Sequence, residues 1–261
     1  MIKNKTKKFL GHTIWFKVFL TILIFVPSIT ERPYNPVETS DVIASVLSHP
    51  LIVEIDFLLP VFKLLLLASM IIPFLIHRDF QKILLVYYGI ILIIVGVFQN
   101  IAYTETYGYA WLVGNSLGQI VVALYCFYDV FRQKSVLKRQ FVNKKRLWLI
   151  VPMIIALLLP YEVVDTVIRP SMKTVLYNES GVTYCMITPI VIGIMIIFSK
   201  EMYKPLLSAI SYLGFLYGLL NMVTWFGIQK ENWWMGVLHL PLLVISLYGL
   251  IISNKEKAVY S

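Results

Sequence analysis

Eight long apolar segments alternate with short polar segments along the chain. Each apolar segment is continuously hydrophobic, without the two-residue alternation of membrane β-strands. Most of them approach the ~20 residues that a membrane-spanning helix requires. The segments cover residues 12–29, 50–76, 81–102, 109–131, 147–168, 181–199, 205–228 and 233–253. The pattern therefore predicts an all-α, polytopic integral membrane protein with about eight transmembrane helices.

The composition indicates that lipid is the solvent for much of the surface. Hydrophobic residues make up 59% of the chain and charged residues only 14%, whereas a soluble domain has ~25% charged residues. The net charge of +9 would suit a nucleic-acid binder, but seven of the 23 Lys and Arg residues lie within residues 132–146 and most others flank apolar segments. We therefore expect the lipid bilayer and protein subunits as partners, and no nucleic acid.

The positions of the basic residues also predict the orientation of the chain. With the N-terminus in the cytoplasm, the inner connections carry seventeen Lys and Arg residues and the outer connections carry four. Short cytoplasmic loops of membrane proteins are enriched in these residues. The sequence thus predicts a plasma-membrane protein with both termini in the cytoplasm.

Several landmarks recur in the same order in the two halves of the chain. Trp15 lies twelve residues before Pro27, and Trp148 lies twelve residues before Pro160. Further matches pair Pro60 with Pro189, and Trp111 and Tyr125 with Trp234 and Tyr248. Four segments per half is an even number, so both halves would enter the membrane from the same side. We predict two parallel four-helix repeats, residues 1–135 and 136–261, the second of which begins with the basic linker.

Polar residues within the apolar segments define a candidate intramembrane site, formed by Asp56, Lys63, Asn115, Gln119 and His239. Lys63 is predicted at mid-span, where a charge costs at least ~2.5–3.5 kcal/mol, so we expect it to face the bundle interior. Asp56, seven residues earlier, would lie on nearly the same helix face and ~10 Å away. Lys63 has three interpretations: a structural pair with Asp56, a substrate or proton site, and a Schiff-base lysine.

The remaining members of the candidate site have structural as well as functional interpretations. Asn115 and Gln119 fit the amide hydrogen bonds that join membrane helices. His239 fits either a packed, hydrogen-bonded residue or a ligand or proton carrier. Pro60 and Pro189 predict helix breaks in matching positions, which mark the central site of many transporters but also occur in membrane helices without a transport role.

The sequence contains no catalytic, metal-binding or nucleotide-binding motif, so we expect no cofactor, and a protein without enzymatic activity is favoured over an enzyme. The leading hypothesis is a small-solute or ion transporter, or a channel-like protein, with a site between the halves. The alternative is a non-catalytic membrane subunit or accessory protein of a larger complex, and a membrane-embedded lipid enzyme is third. A transporter predicts a water-accessible cavity lined by Lys63 and Asn115, whereas a subunit predicts a dry core and a large exposed protein-binding face.

Overall fold

The computed structural model describes residues 14–164, 167–172, 174–175 and 177–255, except for the side chains of residues 56, 163, 164, 167 and 255. It is mostly helical (74%). The α-helices within the described residues are α1 (Ile14–Ile24), α2 (Thr39–Ser48), α3 (Leu59–Leu75), α4 (Gln81–Phe98), α5 (Val113–Arg132), α6 (Ile150–Leu158), α7 (Tyr184–Phe198), α8 (Lys204–Val223) and α9 (Trp233–Lys255). Short 3-10 segments lie at Pro36–Glu38, Leu51–Leu58, Arg139–Phe141, Lys144–Leu149, Glu179–Gly181 and Lys230–Asn232, and a π-helical turn follows α8 at Thr224–Ile228.

Short antiparallel strands occupy both ends of the helical bundle. The strands are β1 (Ile29–Thr30), β2 (Ile101–Thr104), β3 (Gly108–Trp111), β4 (Val136–Leu137), β5 (Tyr161–Val164), β6 (Val167–Pro170) and β7 (Ser199–Glu201). They pair in the order β1-β3-β2, β5-β6 and β4-β7. We call the end that carries the three-stranded sheet and the β5–β6 hairpin the hairpin end. The opposite end, which carries residues 132–146 and the β4–β7 pair, is the basic end.

Helix α7 lies at the centre of the bundle. Its residues are apolar on all sides, and residues 186–198 are all buried, as expected of a helix without a polar face. Helices α3, α4, α6, α8 and α9 pack around it. The main hydrophobic core therefore surrounds α7, while α2 covers one face of the three-stranded sheet with Val42 and Val46.

Two antiparallel helix pairs, α4–α5 and α8–α9, form the most extensive contacts of the bundle. Small residues allow α8 and α9 to approach closely, as is common between membrane helices. Gly249 of α9 lies against the Ser211 hydroxyl, and a Cβ atom on Gly218 of α8 would be 2.9 Å from the α-carbon of Leu243. The close contact depends on the absence of side chains at these glycines.

The prediction of eight spans is wrong in number. Within the described residues, three helical segments are long and apolar enough to cross a membrane: Gln81–Phe98, Lys204–Ile228 and Lys230–Asn254. A fourth span results if Pro36–Ile55 and Leu59–Leu75, which are bent by 93° relative to each other, count as one. Helices α1 and α7 are apolar but shorter, with 11 and 15 residues. The described part of the chain thus has three or four candidate membrane spans.

The excess of predicted spans has identifiable physical causes. In the segment predicted at 147–168, α6 has only nine residues. It ends at Leu158. The next residue, Leu159, adopts a left-handed backbone conformation (φ 40°) before Pro160, and the chain continues into the antiparallel pair β5–β6. In the segment predicted at 50–76, a 3-10 segment with a non-helical residue at Ile55 precedes α3. Helix α5 has 20 residues, but Asn115, Gln119 and other polar residues reduce its hydropathy.

Large apolar side chains cover the outer surface of the bundle. They include Trp15, Leu64, Ile83, Leu124 and Val151, each exposed by 45% or more. A soluble monomer does not normally expose so many neighbouring apolar side chains, so contact with a lipid bilayer accounts for this surface. The predicted duplication into residues 1–135 and 136–261 is not shown by this arrangement and stays a prediction.

Candidate polar site between the helices

Lys63 lies near the hairpin end of α3, closer to the helix start than the sequence suggested. Because α3 begins at Leu59, Lys63 is four residues inside the helix, or ~6 Å along its axis. Its side chain is buried, with 5% exposure. The prediction had counted its depth from Pro50, but residues 51–58 form the 3-10 segment that precedes the helix.

The Lys63 ammonium hydrogen-bonds to two neutral oxygen atoms from another part of the chain. It donates to the Asn178 side-chain oxygen at 2.7 Å and to the Leu158 carbonyl at 3.2 Å. Leu158 is the last residue of α6, and carbonyl groups at a helix C-terminus carry partial negative charge and lack an intrahelical donor. Lys63 thus acts as a C-terminal cap for α6 and fixes α3 against it.

Asn178 is the central residue of this cluster. Its amide nitrogen donates to the carbonyl groups of Leu158 (2.7 Å) and Leu159 (3.0 Å), and its oxygen also accepts a bond from the Ser180 amide at 3.1 Å. Three residues further on, Gly181 lies directly on the backbone of α3, where a Cβ atom would be 2.5 Å from the Lys63 backbone nitrogen. Only glycine allows this approach. We call Lys63, Leu158, Leu159 and Asn178 the Lys63 cluster.

The predicted partner of Lys63 cannot be compared with this arrangement. The Asp56 side chain lies outside the described residues, so the expected pair of Lys63 with Asp56 stays a prediction. The partner that the structure describes, Asn178, was not predicted.

Asn115 and Gln119 lie on α5 and bond to neighbouring helices. Asn115 accepts a hydrogen bond from the Tyr217 hydroxyl of α8, at 3.2 Å to its side-chain oxygen and 3.4 Å to its carbonyl. Gln119 accepts a bond from the Asn100 amide at 3.4 Å, and Asn100 also donates to two carbonyl groups at the end of α4. This second group joins α4, α5 and α8. Among the described residues, no hydrogen bond links it to the Lys63 cluster.

His239 stands apart from both groups. Its Nδ1 atom is 2.8 Å from the Met235 carbonyl one turn earlier in α9, which assigns the proton to Nδ1 if the ring is neutral. Its ring lies 5.9 Å from that of Trp225. Of the predicted site residues whose side chains are described, Lys63, the pair Asn115 and Gln119, and His239 therefore lie in three separate places.

The two prolines occupy different helical positions. Pro60 is in the first turn of α3, where its missing N–H would lack a partner in any case. Pro189 lies inside α7, which runs unbroken from Tyr184 to Phe198. Next to it, the Thr188 hydroxyl bonds to the Tyr88 hydroxyl of α4 at 3.0 Å. Pro189 removes one helix hydrogen bond without ending α7.

Two pockets stand out in the described part of the structure, and neither is lined by a predicted site residue. One lies between α3 and α4, and the other lies on the outer face of the three-stranded sheet near Tyr109. Within the same residues, no group of three His, Cys, Asp or Glu side chains is placed to hold a metal ion.

Comparisons with protein families, curated proteins and solved structures find no match to this chain. The assignment of function therefore depends on its own residues.

Sequence reasoning missed two polar residues that organise the bundle. Asn178 precedes a helical turn in a polar loop, which is the position of an N-cap. Asp129 lies at the end of the apolar run of α5, fully buried. Its carboxylate accepts bonds from the backbone amides of Lys134 (2.9 Å) and Ser135 (3.0 Å) and from the Ser135 hydroxyl (2.5 Å). The sequence feature that could have identified Asp129 is a carboxylate inside an apolar segment.

Proposed function

We propose that this protein is a non-catalytic, multi-pass membrane protein that serves as a subunit or accessory protein of a larger membrane complex. The observation that carries the proposal is that three of the polar side chains predicted as site residues bond to other segments of the same chain. Lys63 joins α3 to α6, Asn115 joins α5 to α8, and Gln119 joins α5 to Asn100. Such bonds join membrane helices and require no substrate.

We also infer that the basic end faces the cytoplasm. The excess of Lys and Arg in residues 132–146 supports this orientation. A reporter fused after Ser261 should then be cytoplasmic, and a reporter inserted near Tyr177, at the hairpin end, should be external. Finding both reporters on one side of the membrane would contradict this orientation.

A small-solute or ion carrier is the second candidate. The observation that favours it is the buried Lys63 ammonium, whose partners among the described side chains and carbonyl groups are neutral. A buried charge without a counter-charge is costly in a membrane and commonly marks an ion or substrate pathway. On this hypothesis, an anion would bind at Lys63.

Water access to position 63 distinguishes the two candidates. In a background with Cys126→Ala and Cys185→Ser, a Lys63→Cys variant is treated with a membrane-impermeant maleimide from either side. Tyr109→Cys, at an exposed position (60%), serves as the positive control, and Leu66→Cys, at a fully buried position of α3, as the negative control.

The accessory-protein proposal expects position 63 to react no faster than position 66 from either side. Reaction of position 63 from one side, slowed by small anions, would contradict that proposal and support the carrier. The double-cysteine replacement must first be checked for folding by gel filtration, because Cys126 is buried.

A further inference from the structure

A groove separates α3 from α4 at the basic end of the bundle. The two helices are consecutive in the chain but hardly touch, because α4 packs mainly on α5, and α3 packs on the turn at Glu179–Gly181 and on α7. The Phe198 ring of α7 makes edge-on contacts with Phe74 of α3, at 4.9 Å between centroids, and with Phe80, the residue before α4, at 5.5 Å. The cavity between the two helices is lined in part by Phe80 and measures about 110 Å³.

The lining of the groove is mostly apolar and opens towards the lipid-facing surface; Ser69 and Tyr87 carry its hydroxyl groups. Leu65, Ala68 and Ile72 of α3 form one wall, and Phe80, Leu84 and Tyr87, at and after the start of α4, form the other. The side chain of Ala68 is small, so that part of the groove stays unfilled. Leu65, on the rim of the groove, is 46% exposed. The lining on the α4 side runs from Phe80 to Tyr87, which at the helical rise per residue gives a length of ~10 Å. That is shorter than one leaflet of the hydrocarbon core, ~15 Å.

Exposed basic side chains surround the mouth of the groove. Arg78 and Lys82 flank the start of α4, and Arg139 lies against His77 at 3.1 Å, all of them exposed. The one acidic residue of this turn, Asp79, accepts bonds from the backbone amides of Gln81 and Leu137. The mouth therefore carries a net positive charge directly beside an apolar groove.

We propose that this groove binds one acyl chain of an acidic glycerophospholipid, whose phosphate lies against Arg78, Lys82 and Arg139. The apolar walls match the chain and the basic mouth matches the headgroup. Basic pockets between membrane helices are known to select anionic lipid headgroups in this way. An apolar protein helix would also fill the groove, but it would add no counter-charge to the three cations, whose one acidic neighbour in this turn is Asp79.

Native mass spectrometry of the full-length protein in detergent tests the proposal, with phosphatidylglycerol and phosphatidylcholine added at equal concentrations. The wild type should retain phosphatidylglycerol preferentially. The variant Arg78→Gln/Lys82→Gln should lose about tenfold or more of this preference. The matched control, Lys144→Gln/Lys145→Gln, removes the same charge from other positions of the basic end and should retain the preference.

A second variant tests the groove itself. Ala68→Phe fills the cavity without changing the charge, and it should reduce phosphatidylglycerol binding to a similar extent. Equal binding of the two lipids by the wild type, or equal losses in both double variants, would overturn the proposal. It would also be overturned if Ala68→Phe left lipid binding intact while it abolished a dimer or a protein adduct in the same spectra, because the groove would then hold a protein helix.

Discussion

Lys63 and Asn178 share a hydrogen bond, but replacing Asn178 should lower the free energy of unfolding more than replacing Lys63. In Lys63→Met, an apolar side chain of similar length replaces the buried ammonium, and Asn178 keeps its bonds to Leu158 and Leu159. In Asn178→Leu, the only partner left to the ammonium among the described residues is the Leu158 carbonyl at 3.2 Å. A buried charge that loses its partner is much more costly than a buried pair that is replaced by apolar groups.

The structure gives the expected size of each effect. Lys63→Met should change the free energy of unfolding by no more than ~2 kcal/mol, since a hydrogen bond to a charged group contributes ~1.5–3 kcal/mol and its desolvation cost is removed at the same time. Asn178→Leu should cost ~3–5 kcal/mol, as expected when a buried charge loses its partner. In a protein that already carries Lys63→Met, the same Asn178→Leu change should cost ~1.5–3 kcal/mol less.

A double-mutant cycle measures this coupling directly. The four proteins are purified in mixed micelles and unfolded by titration with sodium dodecyl sulfate, with tryptophan fluorescence as the signal. Lys82→Met, at an exposed position of α4, is the control for replacing a lysine and should shift the free energy of unfolding by less than ~0.5 kcal/mol. A coupling energy below ~0.5 kcal/mol, the usual limit of additivity, would refute the role assigned to the Lys63–Asn178 bond.

Three further changes test other parts of the fold. Gly249→Val, which would overlap the Ser211 hydroxyl, should lower the free energy of unfolding by ~1–3 kcal/mol. Gly227→Ala, with its nearest atom at 4.0 Å, is the control in the same titration and should have no effect. Asp129→Ala should lower the melting temperature more than Asp129→Asn, because it leaves two backbone amides and a hydroxyl without an acceptor. Burial raises the pKa of Glu179. Glu179 therefore contributes most to the free energy of unfolding at low pH, where it is protonated. This contribution is lost as the pH rises through its pKa in the folded protein. Glu179→Gln should thus raise the melting temperature relative to the wild type near neutral pH but not below its ordinary pKa, and an equal difference at both pH values would contradict this assignment.

The sequence predicts where helices occur better than where they begin and end. A described α-helix overlaps each of the eight predicted segments, because long apolar runs in a membrane satisfy their backbone groups most easily as helices. Helix boundaries depend on local chemistry that hydropathy does not contain. At α6, the left-handed Leu159 and the following Pro160 end the helix after nine residues, although the segment up to Val164 is apolar apart from Glu162.

The burial of Lys63 could be anticipated from its insertion cost, but its described partner could not. A single sequence relates residues on the same helix through the helical period, which is why Asp56 was the expected partner. Asn178 is 115 residues away from Lys63, and the contact exists only because Gly181 brings its loop onto α3. Pairs of this kind require the tertiary structure.

The short length of α6 and the burial of Lys63 have the same physical explanation. A helix that continued past Leu158 would offer the Leu158 carbonyl an amide four residues later. Because α6 ends there, that carbonyl would be unsatisfied in an apolar environment, at a cost of ~1–3 kcal/mol by mutational measures. Two donors compensate for this loss, the Lys63 ammonium and the Asn178 amide. Either donor can satisfy the carbonyl, but only Asn178 also supplies an acceptor for Lys63. The dependence is therefore one-sided: the end of α6 tolerates the loss of Lys63, whereas Lys63 does not tolerate the loss of Asn178.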